Sequence, residues 1–201
     1  MALSEKFSSY SLEAGCDEAG RGCLAGPVYA AAVILKPGST HPLLNDSKQV
    51  SKANRNDLRE WIEAESLHWA IGVCSPAEID KINILNASIE AMHRALAALQ
   101  AEPEFILVDG NRFKPFRNIP YATMVQGDAR FRNIAAASIL AKTHRDSFME
   151  KLHVQFPQYG WISNAGYPTP PHRAAIARYG ITPHHRKTFR LLPDQLDLFG
   201  H

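Results

Sequence analysis

The sequence predicts an α/β fold, a mixed central sheet flanked by helices, with a small helical C-terminal lobe. Three observations carry that prediction. Short apolar runs of strand length alternate with stretches whose apolar residues recur at helical spacing. The run Phe105-Ile106-Leu107-Val108 is compact and apolar enough for a buried strand. The stretch Ile134 to Lys142 is alanine-rich, which favours a helix and lets it lie close to a sheet.

Element by element, the segment from Tyr10 to Cys16 is followed by Asp17-Glu18-Ala19-Gly20-Arg21-Gly22, and Gly26-Pro27 leads into Val28 to Leu35. This reads as strand, glycine-rich turn, strand, closed by Lys36-Pro37-Gly38. Ser51 is placed to N-cap a helix reaching about Glu65, and Trp69 to Cys74 is a short apolar strand ended by Ser75-Pro76. From Pro76 the series Ile79, Ile82, Leu85, Ile89, Met92, Leu96, Leu99 has helical spacing and feeds the Phe105 to Val108 strand, which ends at Asp109-Gly110. Tyr121 to Val125 precedes the Gly127-Asp128 turn, after which the alanine-rich helix continues to about Phe156. The stretch from Pro157 to Pro171 is rich in Pro, Gly and aromatics, and Pro171-His172-Arg173 starts a short helix ending at Tyr179-Gly180. It reads as a small lobe suited to gripping a substrate. Beyond Pro193 only Leu196, Leu198 and Phe199 are strongly apolar, the pattern of a flexible tail with a short linear motif.

Length and composition are those of one ordinary globular catalytic domain: 201 residues, 45% hydrophobic, 21% charged, with no repeat and no low-complexity tract. No apolar run is long enough to cross a bilayer and the first residues lack a secretory pattern, so the expected location is the cytoplasm, without membrane contact. Cys16, Cys23 and Cys74 are odd in number and unclustered, as befits reduced thiols packed as small apolar groups. Charge is uneven. There are 9 basic against 15 acidic residues up to Asn111 and 13 against 5 after it, so the halves carry about −6 and +8. A basic half suits a polyanionic partner, because each phosphate neutralised by Lys or Arg releases counterions.

Asp17 with Glu18 sits at the end of the first strand, Asp109 ends the apolar strand, and Asp128 enters the long helix. A mixed sheet gathers such strand ends into a site. Grouped carboxylates repel unless cations neutralise them, and oxygen donors with open positions suit Mg²⁺ or Mn²⁺. A two-metal phosphodiester site is the natural chemistry. Taken singly, Asp109-Gly110 is a common turn and Asp128 a common cap. The segment Asp17 to Gly22 is different, since consecutive acids followed by two glycines flanking an arginine serve no evident packing purpose. Glycine lets main-chain amides approach a ligand, and arginine reads phosphate.

Asp17 to Gly22, Leu107-Val108-Asp109-Gly110, Gly127-Asp128, Ala136 to Lys142 with Arg145-Asp146, Gly166-Tyr167-Pro168-Thr169 and His185-Arg186-Lys187-Thr188-Phe189 occur in this order. Together, from about Glu13 to Arg190, they resemble bacterial ribonuclease HII. The resemblance implies a ribonuclease H-like fold over residues 1–190, with residues 157–190 as the substrate-gripping lobe and residues 191–201 as the tail. It implies an endonuclease that cuts the RNA strand of RNA/DNA hybrids and incises 5′ to ribonucleotides in duplex DNA, acting as a monomer and serving ribonucleotide removal. Asp17, Glu18, Asp109 and Asp128 fall on the family's catalytic, metal-binding carboxylates for two Mg²⁺ or Mn²⁺ ions. Asp17 and Asp109 would serve both ions, and the products would carry 5′-phosphate and 3′-hydroxyl ends.

By the same resemblance, Gly20-Arg21-Gly22 feels for a 2′-hydroxyl and Tyr167 packs against the sugar at the RNA-to-DNA junction. Lys142, Arg145, His172, His184, His185, Arg186 and Lys187 are expected to contact phosphate or to support the lobe. Two departures stand out: Gln126 precedes Gly127 where many relatives carry lysine, and the tyrosine loop reads Gly-Tyr-Pro-Thr-Pro-Pro. In the tail, Gln195-Leu196-Asp197-Leu198-Phe199 resembles the peptide with which bacterial proteins dock on the replication sliding clamp, through Gln195, Leu196, Leu198 and Phe199. Two other readings compete: a nuclease of similar sheet architecture acting on structured DNA, and a non-enzymatic hybrid-binding or clamp-bound adaptor. The Gly-Arg-Gly turn with Tyr167 argues against the first, and the intact carboxylates argue against the second.

Overall fold

The computed structural model describes residues 3–44 and 50–192 and bears out the α/β expectation. Five strands, β1 (Glu13–Ala19), β2 (Val28–Leu35), β3 (Ser66–Cys74), β4 (Phe105–Asp109) and β5 (Tyr121–Met124), form one sheet in the order β3-β2-β1-β4-β5. The pairs β1–β2 and β2–β3 are antiparallel, whereas β4 runs parallel to both β1 and β5, so the sheet is mixed. Helix α1 (Lys52–Glu65) joins β2 to β3, and α2 (Pro76–Ile82) with α3 (Ile84–Ala97) crosses from β3 to β4.

Both faces of the sheet are covered, and residue size explains how. Ala30, Ala32 and Ile34 of β2 point to one face with Ile106 and Val108 of β4, against Ala87, Ala91, Met92 and Ala95 of α3. Ala31, Val33 and Leu35 point to the other, against Leu58 and Ile62 of α1 and Ala136, Ile139 and Leu140 of α4 (Arg132–Gln155). Each fully buried aliphatic side chain contributes about 1.5–3 kcal/mol. The approach of α4 to β1 is so close that a β-carbon on Gly15 would enter the main chain of Asn133 and Ile134. There the buried Asn133 amide ties helix to sheet, donating to the Glu13 carbonyl at 2.7 Å and accepting from the Leu35 amide at 3.1 Å.

The structure departs from the sequence expectation in four places. β1 starts at Glu13, not Tyr10, and runs on to Ala19, so Asp17 and Glu18 lie within the strand. The preceding residues turn back instead, with the Glu13 carboxylate accepting from the amides of Phe7 (3.0 Å) and Ser8 (2.6 Å). The single helix read from Pro76 is two helices, because Asn83 takes φ 64° and its side chain caps α3 by accepting from Asn86 N at 3.1 Å. β3 begins at Ser66, directly after α1. The Pro- and Gly-rich stretch holds a short helix, α5 (Trp161–Asn164), before α6 (Pro170–Tyr179).

These last helices surround a separate apolar cluster in which Tyr159, Trp161 and Ile176 pack on Leu24, Met149 and Leu152. The far half of α4 is therefore shared between sheet and lobe. The proposed docking residues Gln195, Leu196, Leu198 and Phe199 lie outside the described residues. Among the described residues no helix is long and apolar enough to cross a membrane.

Candidate active site

Strand register assembles the site. Cys16 of β1 pairs with Val108 of β4 in a parallel ladder, so the next residues, Asp17 and Asp109, end side by side. Side chains alternate along a strand, which puts Asp17 on the α4 face with Gly15, Asp109 on the α4 face with Leu107, and Glu18 on the opposite face. Ser138 of α4 hydrogen-bonds Asp17. Asp17 Oδ1 accepts from the Glu18 amide and Asp109 Oδ1 from the Gly127 amide, each at 2.7 Å. Glu18 pairs with Arg21 Nη1 at 3.1 Å. The three carboxylates form an acidic wall of a cleft of ≈ 320 Å³ that Gly20-Arg21-Gly22, Lys142 and Tyr167 also line.

Electrostatics set the acidic wall apart. The Asp17 carboxyl is held well above the usual carboxylate range, first by burial and then by the charges of Glu18 and Asp109. The Ser138 and Glu18 hydrogen bonds oppose that shift without cancelling it. Oxygen-only donors in mutual repulsion are the set that a hard divalent cation takes, so the residues fit Mg²⁺ or Mn²⁺ chemically. Among the described residues no three His, Cys, Asp or Glu side chains already stand at ligand distance around one point. Asp128 is buried in a one-turn 3₁₀ helix (Gly127–Ala129) and does not line the cleft; its neighbour Gly127 supplies the amide bound to Asp109. The structure thus gathers Asp17, Glu18 and Asp109, with Asp128 behind them.

The loop wall is held from inside. Lys142 pairs with Asp146 at 2.8 Å and its Nζ lies 5.7 Å from the centre of the Tyr167 ring, which is 39% exposed. Arg145, His172 and Arg186, expected to contact phosphate or to support the lobe, are fully buried, which fits the second role. Arg145 donates to the carbonyls of Pro27 (3.0 Å), Ala165 (2.9 Å) and Ala25 (3.0 Å). Arg186 donates to those of Gly20 (2.6 Å), Arg21 (2.8 Å) and Gly26 (2.9 Å). His172 Nε2 accepts from Trp161 Nε1 at 3.0 Å, which leaves Nδ1–H to donate to the Tyr167 carbonyl at 2.9 Å. Their burial has a physical reason: turns 20–27 and 164–167 direct their carbonyls inward, and buried acceptors must be paired.

Four side chains that carry weight here had no role in the sequence reading. Ser138 orients Asp17, and its signal was a hydroxyl within an alanine run. The buried Cys23 thiol and the Tyr167 hydroxyl interact electrostatically, coupling the two loops of that wall. Asp80 of α2 accepts from the amides of Lys187 and Thr188, both at 3.0 Å, and fixes the segment after Arg186. Asn133 is the fourth. Only Ser138 left a local trace; the partners of the others are far away in sequence.

Comparison with known proteins agrees with this geometry. The family model described as Ribonuclease HII matches residues 14–192. The chain is 60% identical over 194 residues to a ribonuclease HII of Porphyromonas gingivalis, covering 96% of each chain. It is 61% identical over 190 residues to one of Bacteroides fragilis, covering 94% of each. Among solved structures, the ribonuclease HII in the PCNA:RNase HII complex from Archaeoglobus fulgidus superposes with a TM-score of 0.75 at 27% identity, over 92% of this chain and 98% of that one.

Proposed function

Because the chain belongs to the ribonuclease HII family and is a ribonuclease H endonuclease, we propose that it cleaves the RNA strand of RNA/DNA hybrids and incises 5′ to ribonucleotides embedded in duplex DNA. The observation that carries this reading is a single cleft lined by Asp17, Glu18 and Asp109 together with Gly20-Arg21-Gly22 and Tyr167. Residues that would bind a scissile phosphate therefore share one cleft with residues suited to reading the neighbouring sugar.

Ribonucleases H depend on divalent cations. Here Asp17, Glu18 and Asp109, with Asp128 behind them, would hold two Mg²⁺ or Mn²⁺ ions. Such ions, when bound, supply a water activated for in-line attack and neutralise charge on the departing 3′ oxygen. The chain's own residues do the rest. Ser138 and the Glu18 amide orient Asp17, and Gly127 N orients Asp109, so both carboxylates are aimed before substrate arrives. Arg21 and Lys142 present cationic ends to the flanking phosphates. The amides of Gly20-Arg21-Gly22 meet the 2′-hydroxyl, the group that separates RNA from DNA, and the Tyr167 ring packs on the adjoining sugar. Residues 157–190 grip the duplex as a lobe of the catalytic domain spanning 1–190.

The experiment is incision of a DNA duplex carrying one ribonucleotide, with Mg²⁺ or Mn²⁺ against EDTA, for wild type and Asp109→Asn. Metal-dependent incision 5′ to the ribonucleotide, lost in the variant, is the expected result. No incision by a folded wild type with any divalent metal, or equal cutting of an all-DNA duplex, would sink the reading. The tail residues Gln195 to Phe199 are proposed to tether the enzyme to the bacterial sliding clamp. Unchanged clamp affinity in a chain ending at Leu192 would reject that tether.

A further inference from the structure

The turn between β1 and β2 spends nearly all of its main-chain hydrogen-bonding capacity inside the protein. The amide of Cys23 bonds Gly20 O, those of Leu24 and Ala25 bond Gly166 O, and that of Gly26 bonds His184 O. Among the described residues, the amides of Arg21 and Gly22 take no main-chain partner. Their orientation follows from the carbonyls beside them. Among the described residues all peptide bonds are trans, so the C=O of one residue and the N–H of the next point in opposite directions. Arg186 draws the Gly20 and Arg21 carbonyls inward, at 2.6 and 2.8 Å, and the Arg21 and Gly22 amides are thereby turned toward the cleft.

Arg145 extends the same arrangement. It holds Ala25 O and Pro27 O of this turn together with Ala165 O of the tyrosine loop. Gly20, at φ 96°, is where its guanidinium passes, because a β-carbon there would collide with the Arg145 side chain. Both guanidiniums are completely buried. A planar fork can span several carbonyls at fixed angles, whereas a lysine ammonium of equal charge cannot.

We infer that Arg186, supported by Arg145, is a positioning residue for ribose recognition: it touches no substrate and fixes the direction of the Arg21 and Gly22 amides that do. The inference rests on the incision reading above. Its test is Arg186→Lys, examined for incision of the single-ribonucleotide duplex, Mn²⁺ binding, thermal melting and amide hydrogen exchange. A displacement of about 1 Å costs about 100-fold in rate. The expected result is therefore a loss of that order, mainly in kcat, with a narrower preference for ribonucleotide over all-DNA duplex. Melting falls, because buried carbonyls lose donors, while Mn²⁺ binding measured below the transition stays close to wild type and amide exchange quickens at residues 20–26.

Wild-type kinetics in Arg186→Lys would overturn the inference. So would a loss of activity that merely tracks lost melting temperature and lost Mn²⁺ binding. Should Arg186→Lys fail to fold, Arg145→Lys carries the same measurements, with exchange quickening in both loops. If wild type itself does not incise, the functional reading fails, and the exchange arm still decides the clamp: unchanged exchange at residues 20–26 in the lysine variant refutes it.

Discussion

On the acidic wall of the cleft three carboxylates stand together with too few donors; behind the loop wall, two buried arginines stand together with their acceptors supplied. Asp17 is pushed up by burial and by Glu18 and Asp109, whereas Arg145 and Arg186 each fan across several main-chain carbonyls. Burying a charge is costly in both cases. Fixed dipoles offset part of that cost behind the loop wall, where burial still lowers Arg186 to about 10, and hydrogen bonds offset less of it for Asp17 at the ends of the central strands. The deficit fits the cation site proposed above, and the arginine network fits a turn that is held rigid.

The strongest attempt to break this contrast is Asp17→Asn, which removes one of the clashing charges and keeps the shape. Incision should fall by about 1000-fold or more, beyond the 10²–10³ cost of losing one electrostatic contact to a transition state. The metal-free variant should nonetheless melt higher than metal-free wild type, by about 2–4 °C for each kcal/mol of repulsion relieved. A lower melting temperature, measured calorimetrically in EDTA, would show that the acidic wall is not under repulsion.

A middle-sized effect belongs to Tyr167, the exposed ring on the rigid wall. Tyr167→Ala should lower kcat/KM on the single-ribonucleotide duplex by about 10- to 100-fold, the range for losing an aromatic platform. Tyr167→Phe should keep most of the activity, since in the proposed reading the ring does the packing. Equal losses in both variants would mean that the hydroxyl, not the ring, meets substrate.

The smallest effect tests the support behind that wall. Burial, and then His172, lowers His185 from 6.5 to about 4. Between these values the unfolded chain binds a proton that the folded lobe refuses, so the stabilisation present above about pH 6.5 is lost as pH falls toward 4. Hydrogen exchange compared at neutral pH and about pH 5, corrected for intrinsic rates, should show α5 and α6 loosening in acid before the sheet does. Lobe protection that is flat across that window in wild type would contradict a neutral, buried His185.

Much of this was legible in the residues, and what was not has a physical cause. The apolar run ending at Asp109 and the Ser51 cap are local signals, and both elements formed where expected. Asp17 was legible as a site residue although its strand was misplaced, because the glycine-rich turn after it constrains function more than strand boundaries. The break at Asn83 was hidden because both helices share one apolar spacing, and a single left-handed residue interrupts it. Whether Arg145, His172 and Arg186 contact phosphate or support the lobe stayed open in the sequence, because a sequence states charge and not burial. Their partners are carbonyls, which every residue has and no sequence pattern marks.

Helix α4 runs past every part of the site. Ser138 reaches Asp17, Lys142 lines the cleft, Arg145 clamps the glycine-rich turn and Met149 enters the lobe core, at intervals of four, three and four residues along one helical face. Such a face works as a ruler, whose marks count only while their spacing is kept. Exchanging residues on its outer side leaves the marks in place, but inserting or deleting one residue turns everything beyond it by about 100°. Metal wall, turn and lobe would then be read in different frames. Along this stretch, descendants of the gene can vary in letters far more freely than in length.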